Sequence, residues 1–486
     1  MGVIVFASRL LNPCSLYLRG ERFGLRRGQV KGLKTLKYHF VGIGGIGMSG
    51  LARLAISQGA DVSGSDKSDS HILAELRALG ATVSVGHSGE NVPLDAIVVT
   101  TDAVKGANPE VDAAHARGQE AIRRSELLGR MMDRHEGIAI AGTHGKTSTT
   151  AMAACVMLNG GLDPSVVVGG EALGAERTAH AGSGRYFLAE ACEAYGSFMH
   201  LAPHIAVVTN VEADHLDFHG SFDHIRAAFR QFTGRITEGG VLIANADNVE
   251  SALLAQDCTC RAVTYGLNAG DWRAVNLAFE GMCSDFDVFH CGERVAHVHL
   301  AAPGEYNVSN ALAAFVVGVE VGLAAQAIAD ALGRYRGVGR RFELLGESNG
   351  VRVYDDYAHH PTEIRVTLAA ARRAFSGRIV AAFQPHLYSR TRDFLDDFIA
   401  AFDDADAVIV TEVYKSREEP IPGVSGQAIV DGILRRAPGK TVQFVADKGG
   451  VPAAARSLAK AGDVLLVMGA GDIREAGEAF VLGGGA

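Results

Sequence analysis

The sequence predicts an α/β protein with three domains, and three observations lead to this prediction. The chain has 486 residues, enough for about three domains of ~150 residues with a core each. From Lys37 onward, short apolar strands alternate with amphipathic helices, which is typical of parallel sheets covered by helices. Two glycine-rich loops each lie between a strand and a helix, where such sheets bind nucleotides.

The composition excludes several classes of protein. Hydrophobic residues make up 48% and charged residues 21%, as in an ordinary soluble globular protein. The net charge of −9 argues against a nucleic-acid surface, and no stretch reaches the ~18 apolar residues of a membrane span. Seven cysteines without a regular framework favour a reducing cytosol. We therefore expect a cytoplasmic protein with no nucleic-acid or membrane partner.

The cysteine pair Cys258 and Cys260 has a spacing that suits neither a zinc ligand pair nor a redox CxxC motif. We interpret the two residues as incidental.

Residues 1–36 differ from the rest of the chain, because they are rich in arginine and lysine and contain the single acid Glu21. This composition is typical of a transit peptide. It also fits an upstream start codon or a disordered basic tail, and neither a cleavage site nor an amphipathic period is visible. We predict a disordered basic extension.

The first domain is predicted over residues 37–130 from a strand at 38–41, a helix at 48–58 and the GxGxxG sequence between them, at 42–47. Asp66 follows about twenty residues after this loop, as in the dinucleotide-binding fingerprint of Rossmann folds. Taken alone, the pattern would suggest an NAD-dependent dehydrogenase. The same geometry serves any nucleoside diphosphate group.

The second domain, predicted over residues 131–336, opens with the sequence IAGTHGKTST at 140–149, between a strand at 137–141 and a helix at 147–159. Ile140 replaces the first glycine of the full phosphate-loop pattern, which leaves the shorter GxxGKT. In such a loop Lys146 reaches the β and γ phosphates and the Thr147 hydroxyl is available to Mg²⁺. The alternative is a tight strand-to-helix turn without a ligand.

Acidic residues follow two further strands of this domain. The strand at 186–190 leads into Glu190 and Glu193, and the strand at 204–210 leads into Asp214 and His215. Since ligands gather at the carboxyl ends of parallel strands, these groups should meet the phosphate loop and bind Mg²⁺. His215 alone would fit an ordinary histidine at a strand end equally well.

The third domain, predicted over residues 337–486, begins near Arg340 and Arg341. Polar residues follow its strands at 351–355 and 378–383; they are Asp356, Tyr357, His359, His360, His386 and Arg390. Such loops form a wall for an anionic substrate, because arginine binds carboxylates and phosphates through paired hydrogen bonds. Solvated surface arginines are the alternative.

Six motifs from His39 to near the end of the chain resemble the Mur ligases: HFVGIGGIGMSGLA, AGTHGKTSTTAM, TNVEADHLDFHG, GVGRRFE, DDYAHHPTE and FQPHLYSRTRDF. The first and fifth motifs resemble the alanine-adding branch in particular, whereas GTHGKT is shared with a wider superfamily. The resemblance implies a Rossmann-like UDP-binding domain, a central P-loop ATPase-type α/β domain and a C-terminal Rossmann-like α/β domain that closes over both substrates.

The resemblance also implies roles for individual residues. The UDP-sugar site would comprise Gly44, Gly45, Ile46, Gly47, Asp66 and His87. The ATP site would comprise Gly142, Thr143, His144, Gly145, Lys146, Thr147, Ser148, Asn307, Asn310, Arg341 and Asp356, with the two asparagines at the adenine, Arg341 at the γ-phosphate and Asp356 at the ribose. The metal ligands would be Thr147 and Glu190 for one Mg²⁺ and His215 for a second. The amino-acid pocket would comprise Tyr357, His359, His386 and Arg390. The catalytic residues would be Lys146, Glu190, His215, Arg341 and His359.

Two residues depart from the family pattern, and one segment helps to identify the branch of the family. Cys192 replaces an aspartate of the motif EADE, which should retune metal binding without abolishing it. Leu387 replaces an arginine found beside the histidine in some relatives, which leaves Arg390 as the main candidate for the amino-acid carboxylate. Residues 211–235 contain no lysine to carry the carbamate that several Mur ligases use, as expected of the alanine-adding branch.

The implied activity is ATP-dependent ligation of L-alanine to the carboxylate of UDP-N-acetylmuramate through an acyl phosphate, in peptidoglycan precursor synthesis. ATP and Mg²⁺ would be the cofactors, His359 or His360 could accept the proton of the amine, and the protein would be a monomer or homodimer. The nearest alternative within the family recycles tripeptides onto the same nucleotide sugar. A dehydrogenase and a nucleotide-regulated transport ATPase are the alternatives from other classes, and each leaves one glycine loop unexplained.

Overall fold

The computed structural model describes residues 36–101, 107–172 and 177–483. Three sheets, each flanked by helices, confirm the predicted fold of α/β domains with mainly parallel strands. Apart from Leu36, the predicted basic extension lies outside the described residues. In the described part of the chain no helix is long and apolar enough to cross a membrane.

The first sheet has five parallel strands in the order β3-β2-β1-β4-β5. Its elements are β1 Lys37–Val41, α1 Ile46–Ser57, β2 Asp61–Asp66, α2 His71–Ala78, β3 Thr82–Val85, β4 Ile97–Thr100, α3 Pro109–Ala116, β5 Ala121–Arg123 and α4 Arg124–Met132. Helix α4 crosses the boundary predicted after residue 130, so the division between the first two domains stays a prediction.

The second sheet has ten strands in the order β15-β14-β13-β12-β11-β10-β6-β9-β7-β8. Its elements are β6 Glu136–Ala141, α5 Lys146–Asn159, β7 Ser165–Ala172, β8 Arg177–His180, β9 Tyr186–Ala191, β10 Ile205–Val208, α6 Leu216–His219, α7 Phe222–Thr233, β11 Val241–Asn245, α8 Val249–Asp257, β12 Arg261–Gly266, β13 Trp272–Glu280, β14 Cys283–His290, β15 Glu293–Leu300, α9 Glu305–Glu320 and α10 Ala325–Leu332. The edge strands β8, β14 and β15 pair antiparallel and extend a parallel centre.

The third sheet has six strands in the order β16-β17-β21-β18-β19-β20, and only β16 is antiparallel. Its elements are β16 Glu343–Ser348, β17 Val351–Asp356, α11 Pro361–Ala374, β18 Ile379–Phe383, α12 Tyr388–Asp393, α13 Leu395–Ala400, β19 Ala407–Val410, α14 Gly426–Arg436, β20 Thr441–Phe444, α15 Val451–Leu458, β21 Val464–Met468 and α16 Arg474–Leu482.

The apolar cores divide the molecule differently from the sheets. One continuous cluster joins the first sheet to one face of the second and includes Leu51, Met132 and Phe198. Contact at this junction is close, since a Cβ on Gly129 of α4 would lie 2.1 Å from the carbonyl oxygen of His200. The third sheet has its own clusters on its two faces. The first two domains therefore share a core, whereas the third has clusters of its own, with Met282 and Tyr306 of the second domain packed against one of them.

The structure joins Cys258 and Cys260 by a disulfide directly after α8. The chain turns there so that the two Cα atoms lie 5.4 Å apart, and the Cys260 amide donates to Cys258 Sγ at 3.3 Å. Our interpretation of the pair as incidental is corrected accordingly.

Candidate active site

The phosphate loop connects β6 to α5, and its two glycines adopt conformations that other residues rarely adopt. Gly142 has φ 139° and Gly145 has φ 81°. A Cβ on Gly142 would lie 2.0 Å from Thr209 Oγ1, so a larger residue does not fit. Helix α5 begins at Lys146 and is buried over most of its length, which fixes its N-terminus at the loop. The amides of Thr143 and His144 donate to Asn210, at 3.0 and 2.8 Å, so the N–H groups that remain for a phosphate are those at the N-terminus of α5.

Lys146 is charged and tied to its own loop. Its Nζ donates to the carbonyls of Gly142 at 2.5 Å and Thr143 at 3.0 Å, and to Glu193 Oε2 at 2.8 Å. Burial alone would lower the pKa of Lys146, but the charge of Glu193 outweighs that cost and raises the pKa above its usual value. The ammonium group is therefore charged, and a phosphate would replace one of its three present acceptors.

Two of the three predicted metal ligands meet in the structure. Thr147 Oγ1 donates to Glu190 Oε2 at 2.8 Å. Among the described residues, Glu193 Oε1 is buried without a hydrogen-bond partner, which leaves a second carboxylate oxygen for a cation. His215 instead has its Nε2 3.8 Å from Asp214 Oδ2, at the left-handed residue (φ 50°) that precedes α6. The hydroxyl and the two carboxylates fit a hard cation such as Mg²⁺.

Cys192 lies beside these carboxylates as a neutral thiol. Burial, helped by the charge of Glu193, raises the pKa of the Cys192 thiol to about 11. A protonated thiol is a poor ligand for Mg²⁺, so the metal would depend on the flanking carboxylates.

A cavity of about 1200 Å³ lies between the second and third domains, and its lining also includes Arg53, Glu75, Ala78 and Leu79 of the first domain. Predicted ATP-site residues from both sides line it: His144, Gly145, Thr147, Ser148, Asn307, Asn310, Arg341 and Asp356. Its volume exceeds the ~300–1,000 Å³ of common small-molecule sites, as expected for a cleft that holds a nucleotide and part of a second substrate.

The two asparagines of α9 have different surroundings. Asn307 Nδ2 donates to the carbonyl of Pro303 at 2.8 Å, on the cavity wall. Asn310 Oδ1 accepts from Thr149 Oγ1 at 3.2 Å, and it lies 2.5 Å from where a Cβ of Gly145 would be. Asn310 thus supports the phosphate loop in this structure, so its position favours that role over the predicted adenine contact.

Arg341 and Asp356 enter the cavity from the third domain. Asp356 accepts from the backbone N–H groups of Phe342 and Ala358, both at 2.8 Å, which fixes the loop after β17. Burial raises the pKa of Asp356 to about 6, against the opposing effect of Arg341. Burial alone would lower the pKa of Arg341, but Glu363 and Asp356 raise it. Arg341 is therefore a fixed positive charge opposite the phosphate loop.

The four residues predicted for the amino-acid pocket come together. The ring centroids of Tyr357 and His359 are 5.3 Å apart, and those of His359 and His386 are 6.0 Å apart. Arg390 Nη1 lies 3.4 Å from His386 Nδ1. Burial lowers the pKa of His359 to about 4 and that of His386 to about 3, so both imidazoles are neutral at pH 7.

Arg390, the main candidate for the amino-acid carboxylate, already has a carboxylate partner in the structure. It is 5% exposed, and its Nε and Nη2 donate to Asp214 Oδ1 of the second domain at 3.1 and 2.8 Å. The pKa of Asp214 falls far below its usual value, because the charge of Arg390 overcomes the cost of burial. Sequence analysis missed this pair because its members are 176 residues apart.

A second contact between the domains centres on His144 of the phosphate loop. Its Nδ1 lies 3.1 Å from Glu363 Oε1 of α11, and its Nε2 lies 3.5 Å from Glu212 Oε2. Thr362 Oγ1 also donates to Glu212, at 2.8 Å. Although burial opposes it, the two carboxylates raise the pKa of His144 to about 9.

The imidazole of His360 lies beside that of His144, with 4.7 Å between the ring centroids. Within the described part of the chain, His144, Glu212 and His360 are the one group of three such residues close enough to share a metal ion. An imidazolium repels cations, however, and His360 uses Nε2 toward the carbonyl of Ala213 and Nδ1 to cap α11. We interpret the group as an ion-pair network. Both nitrogens of His360 are engaged, which argues against its predicted role as the proton acceptor.

The first glycine loop is closed by the carboxylate predicted for it. The Gly44 amide donates to Asp66 Oδ2 at 2.9 Å, and a Cβ on Gly44 would lie 2.6 Å from Leu73 Cδ1. Gly45 precedes the first residue of α1, Ile46, whose side chain is exposed. The helix N-terminus therefore faces solvent, as a diphosphate site requires.

Two residues near this loop were missed by the sequence analysis. Arg124 lies with Nη1 3.4 Å from the position of a Gly47 Cβ, which places a positive charge at the loop. Buried Glu110 accepts from Ser65 at 2.5 Å and lies 3.3 Å from His87 Nδ1. Although burial opposes it, contacts with His39, Ser65 and Asn91 lower the pKa of Glu110 to about 2. Glu110 resembles an ordinary first-turn acid in the sequence, so only the fold identifies it.

A phosphate loop in one α/β domain that faces an arginine and an aspartate of another across a cleft defines an enzyme that acts on nucleoside triphosphates. Three family models match this chain: "Mur ligase family, catalytic domain" over residues 37–136, "Mur ligase middle domain" over 140–318 and "Mur ligase, glutamate ligase domain" over 340–471. The chain belongs to the Mur ligase family, which confirms the resemblance and places the protein among the ATP-dependent amide-forming ligases.

Similar proteins agree with this assignment over nearly the whole chain. The UDP-N-acetylmuramate–L-alanine ligase of Geotalea daltonii is 43% identical over 449 residues, which cover 92% of this chain and 98% of that protein. The crystal structure of the UDP-N-acetylmuramate–alanine ligase of Thermotoga maritima is 32% identical, covers 92% of this chain and 98% of its own, and superposes with a TM-score of 0.77. A murein peptide ligase from Psychrobacter arcticus, 24% identical over 92% of this chain and 98% of its own, shares the fold with a TM-score of 0.67.

Proposed function

We propose that this protein joins L-alanine to the carboxylate of UDP-N-acetylmuramate, with ATP converted to ADP and phosphate, in the cytoplasmic synthesis of peptidoglycan precursors. The observation that carries the proposal is the cavity that opens onto the phosphate loop on one side and onto Arg341 and Asp356 on the other. The likeness to L-alanine ligases along 92% of the chain supports the choice of substrates.

In the first step, an oxygen of the lactyl carboxylate attacks the γ-phosphorus of ATP, and the bond from that phosphorus to the β-phosphate oxygen breaks. The products are ADP and an acyl phosphate. Lys146 and the loop N–H groups neutralise the developing charge from the second domain, and Arg341 does so from the third. Arg341 already lines the cavity, whereas Lys146 would exchange one of its present acceptors for the phosphate.

In the second step, the amine nitrogen of L-alanine attacks the acyl carbon, and the carbon–oxygen bond to phosphate breaks. The nitrogen loses a proton, which the departing phosphate can accept, and an amide remains. The His359 Nδ1 contacts the carbonyl of Tyr357 at 2.9 Å, which leaves Nε2 as its acceptor nitrogen. A pKa of about 4 makes His359 a weak base, so we assign it mainly to orienting the amine.

Thr147, Glu190 and Glu193 would hold Mg²⁺, with the buried Oε1 of Glu193 as the clearest indication. When bound, the cation would neutralise charge on the phosphate oxygens. We retain His215 as a proposed ligand for a second cation, since its imidazole is partly exposed beside Asp214.

The experiment is an ADP-release assay with UDP-N-acetylmuramate and a panel of acceptors: L-alanine, glycine, L-serine and the tripeptide L-alanyl-γ-D-glutamyl-meso-diaminopimelate. We expect the highest kcat/KM with L-alanine, and a product one alanine residue heavier by mass spectrometry. Preference for the tripeptide would replace the proposal with the recycling activity. ADP release that does not depend on the nucleotide sugar would contradict both.

A further inference from the structure

The amino-acid pocket has fewer hydrogen-bond donors for a carboxylate than its arginine suggests. Leu387 offers no donor, and it is 2% exposed. Arg390 directs Nε and Nη2 to Asp214, so only Nη1 faces His386. A guanidinium can bind a carboxylate through paired hydrogen bonds along either of two edges, and Asp214 occupies the Nε/Nη2 edge of Arg390. A second cation at the pocket would supply the donors that Leu387 lacks.

The loop that follows β19 brings Arg417 to this pocket. The Tyr414 amide donates to the carbonyl of Pro385 at 2.8 Å, and the Leu387 amide donates to the carbonyl of Tyr414 at 3.1 Å. The rings of His386 and Tyr414 stack with 5.7 Å between centroids. Farther along, Glu418 accepts from the amide and the hydroxyl of Ser389, at 3.0 and 2.5 Å. Arg417 thus lies on a loop that is fixed on both sides to the loop carrying His386.

The guanidinium of Arg417 is only loosely engaged. Its Nη2 lies 3.4 Å from Asp217 Oδ2, well beyond the ~2.7–2.9 Å of a charge-assisted hydrogen bond. Its Cζ lies 5.3 Å from the ring centroid of Tyr195. The side chain is 30% exposed, so an incoming anion can reach it.

Arg417 and Arg390 act on the same imidazole. After burial and the effect of His359, both arginines contribute to lowering the pKa of His386 to about 3. Two arginines therefore place positive charge near His386, and of these Arg417 is still accessible to a ligand.

We propose that Arg417 binds the carboxylate of the acceptor amino acid, in place of the donor that Leu387 cannot provide. This assignment rests on the proposed function. His386, which lies next to the Arg417 loop, has its ring centroid 6.0 Å from that of His359, the residue assigned to orienting the amine. The alternative role for Arg417 is a structural contact between the third and second domains through Asp217.

The test compares L-alanine with L-alaninamide, which keeps the amine and lacks the carboxylate. For Arg417→Gln, we expect the ratio of kcat/KM between the two acceptors to fall by ~10- to 100-fold, since a charge-assisted contact with the carboxylate is lost. The KM values for ATP and UDP-N-acetylmuramate should stay within about twofold. Arg436→Gln, at an exposed arginine of α14 that pairs with Asp403, is the matched control and should leave the ratio unchanged.

A second variant separates binding from domain contact. Asp217→Asn should leave the ratio intact or raise it, because it releases Arg417 for the substrate. If Arg417→Gln and Asp217→Asn slow both acceptors equally, with an unchanged ratio, Arg417 is a domain contact and the assignment is overturned. A wild-type enzyme that does not use L-alanine would overturn the proposed function instead.

Discussion

Lys146 exemplifies a residue whose charge is maintained by its partner until a substrate arrives. Glu193 keeps the ammonium charged in a buried site, at 2.8 Å. We expect Lys146→Ala to reduce turnover by at least ~10²-fold, because a preorganised positive charge at the γ-phosphate is lost. Binding of UDP-N-acetylmuramate, measured by titration calorimetry, should change little, since the first glycine loop lies on another sheet. Turnover within a few-fold of wild type would exclude this loop as the ATP site.

At this scale, the sequence predicts residues whose role follows from neighbours in the chain. Lys146 and Thr147 are recognised within the six-residue phosphate motif, and Asp66 from its distance to a glycine loop. Asp214 is different, because its function depends on Arg390, which approaches it only after two domains have packed. Glu110 is buried in a network that no local pattern encodes. Partners distant in sequence are therefore what sequence reasoning misses.

Helix α11 depends on an unusual N-cap. The His360 side chain accepts from the Thr362 amide at 3.3 Å, and Glu363 accepts from the His360 amide at 3.3 Å, forming a capping box. His360→Ala should destabilise the third domain by about 1 kcal/mol, since the cap acceptor is lost. His360→Asn should recover most of the loss. We would measure both by chemical unfolding at pH 7.5. Equal destabilisation by both variants would contradict the capping role.

The contact of α11 with the phosphate loop should depend on pH. The pKa of His144 is raised to about 9, so its stabilisation is complete below the ordinary value of ~6.5 and is lost as pH rises through about 9. The pKa of Glu212 is lowered to about 2, so its share is lost only in strong acid. We expect the stability of the wild type to fall by about 2 kcal/mol between pH 6.5 and 9.5.

The variant that tests this pH dependence is Glu363→Gln, which removes one of the two carboxylates facing His144. Its melting temperature should vary less with pH over the same range than that of the wild type. Glu347→Gln, an exposed glutamate of β16, is the control. A pH profile of Glu363→Gln that superposes on the wild-type profile would show that this ion pair contributes nothing.

At the scale of the whole molecule, the third domain supplies Arg341 to a cavity whose other wall belongs to the second. We expect the protein to be more compact with both nucleotides bound, because ATP at the phosphate loop would also contact Arg341 and Asp356 of the third domain. Small-angle scattering with a non-hydrolysable ATP analogue and UDP-N-acetylmuramate measures this as a smaller radius of gyration. An unchanged radius would indicate a cleft that is already formed without ligands.

The alternation of strands and helices predicts the domain class, because each segment carries its own periodicity. The order of the strands within a sheet does not follow from this periodicity. Strand β9 lies beside β6 although β7 and β8 come between them in the chain, and β14 and β15 extend the sheet in antiparallel pairs. These neighbours are chosen by packing between distant segments, which a single sequence does not display.

The shared apolar core of the first two domains has a consequence for mechanical freedom. Leu51, Met132 and Phe198 belong to one cluster, so the sugar-nucleotide site and the phosphate loop are carried on what is in effect a single rigid platform. The third domain, with cores of its own, is the part that can swing. The two bound nucleotides would therefore keep a constant separation through each catalytic cycle. The third domain would carry the amino acid towards them and away from them.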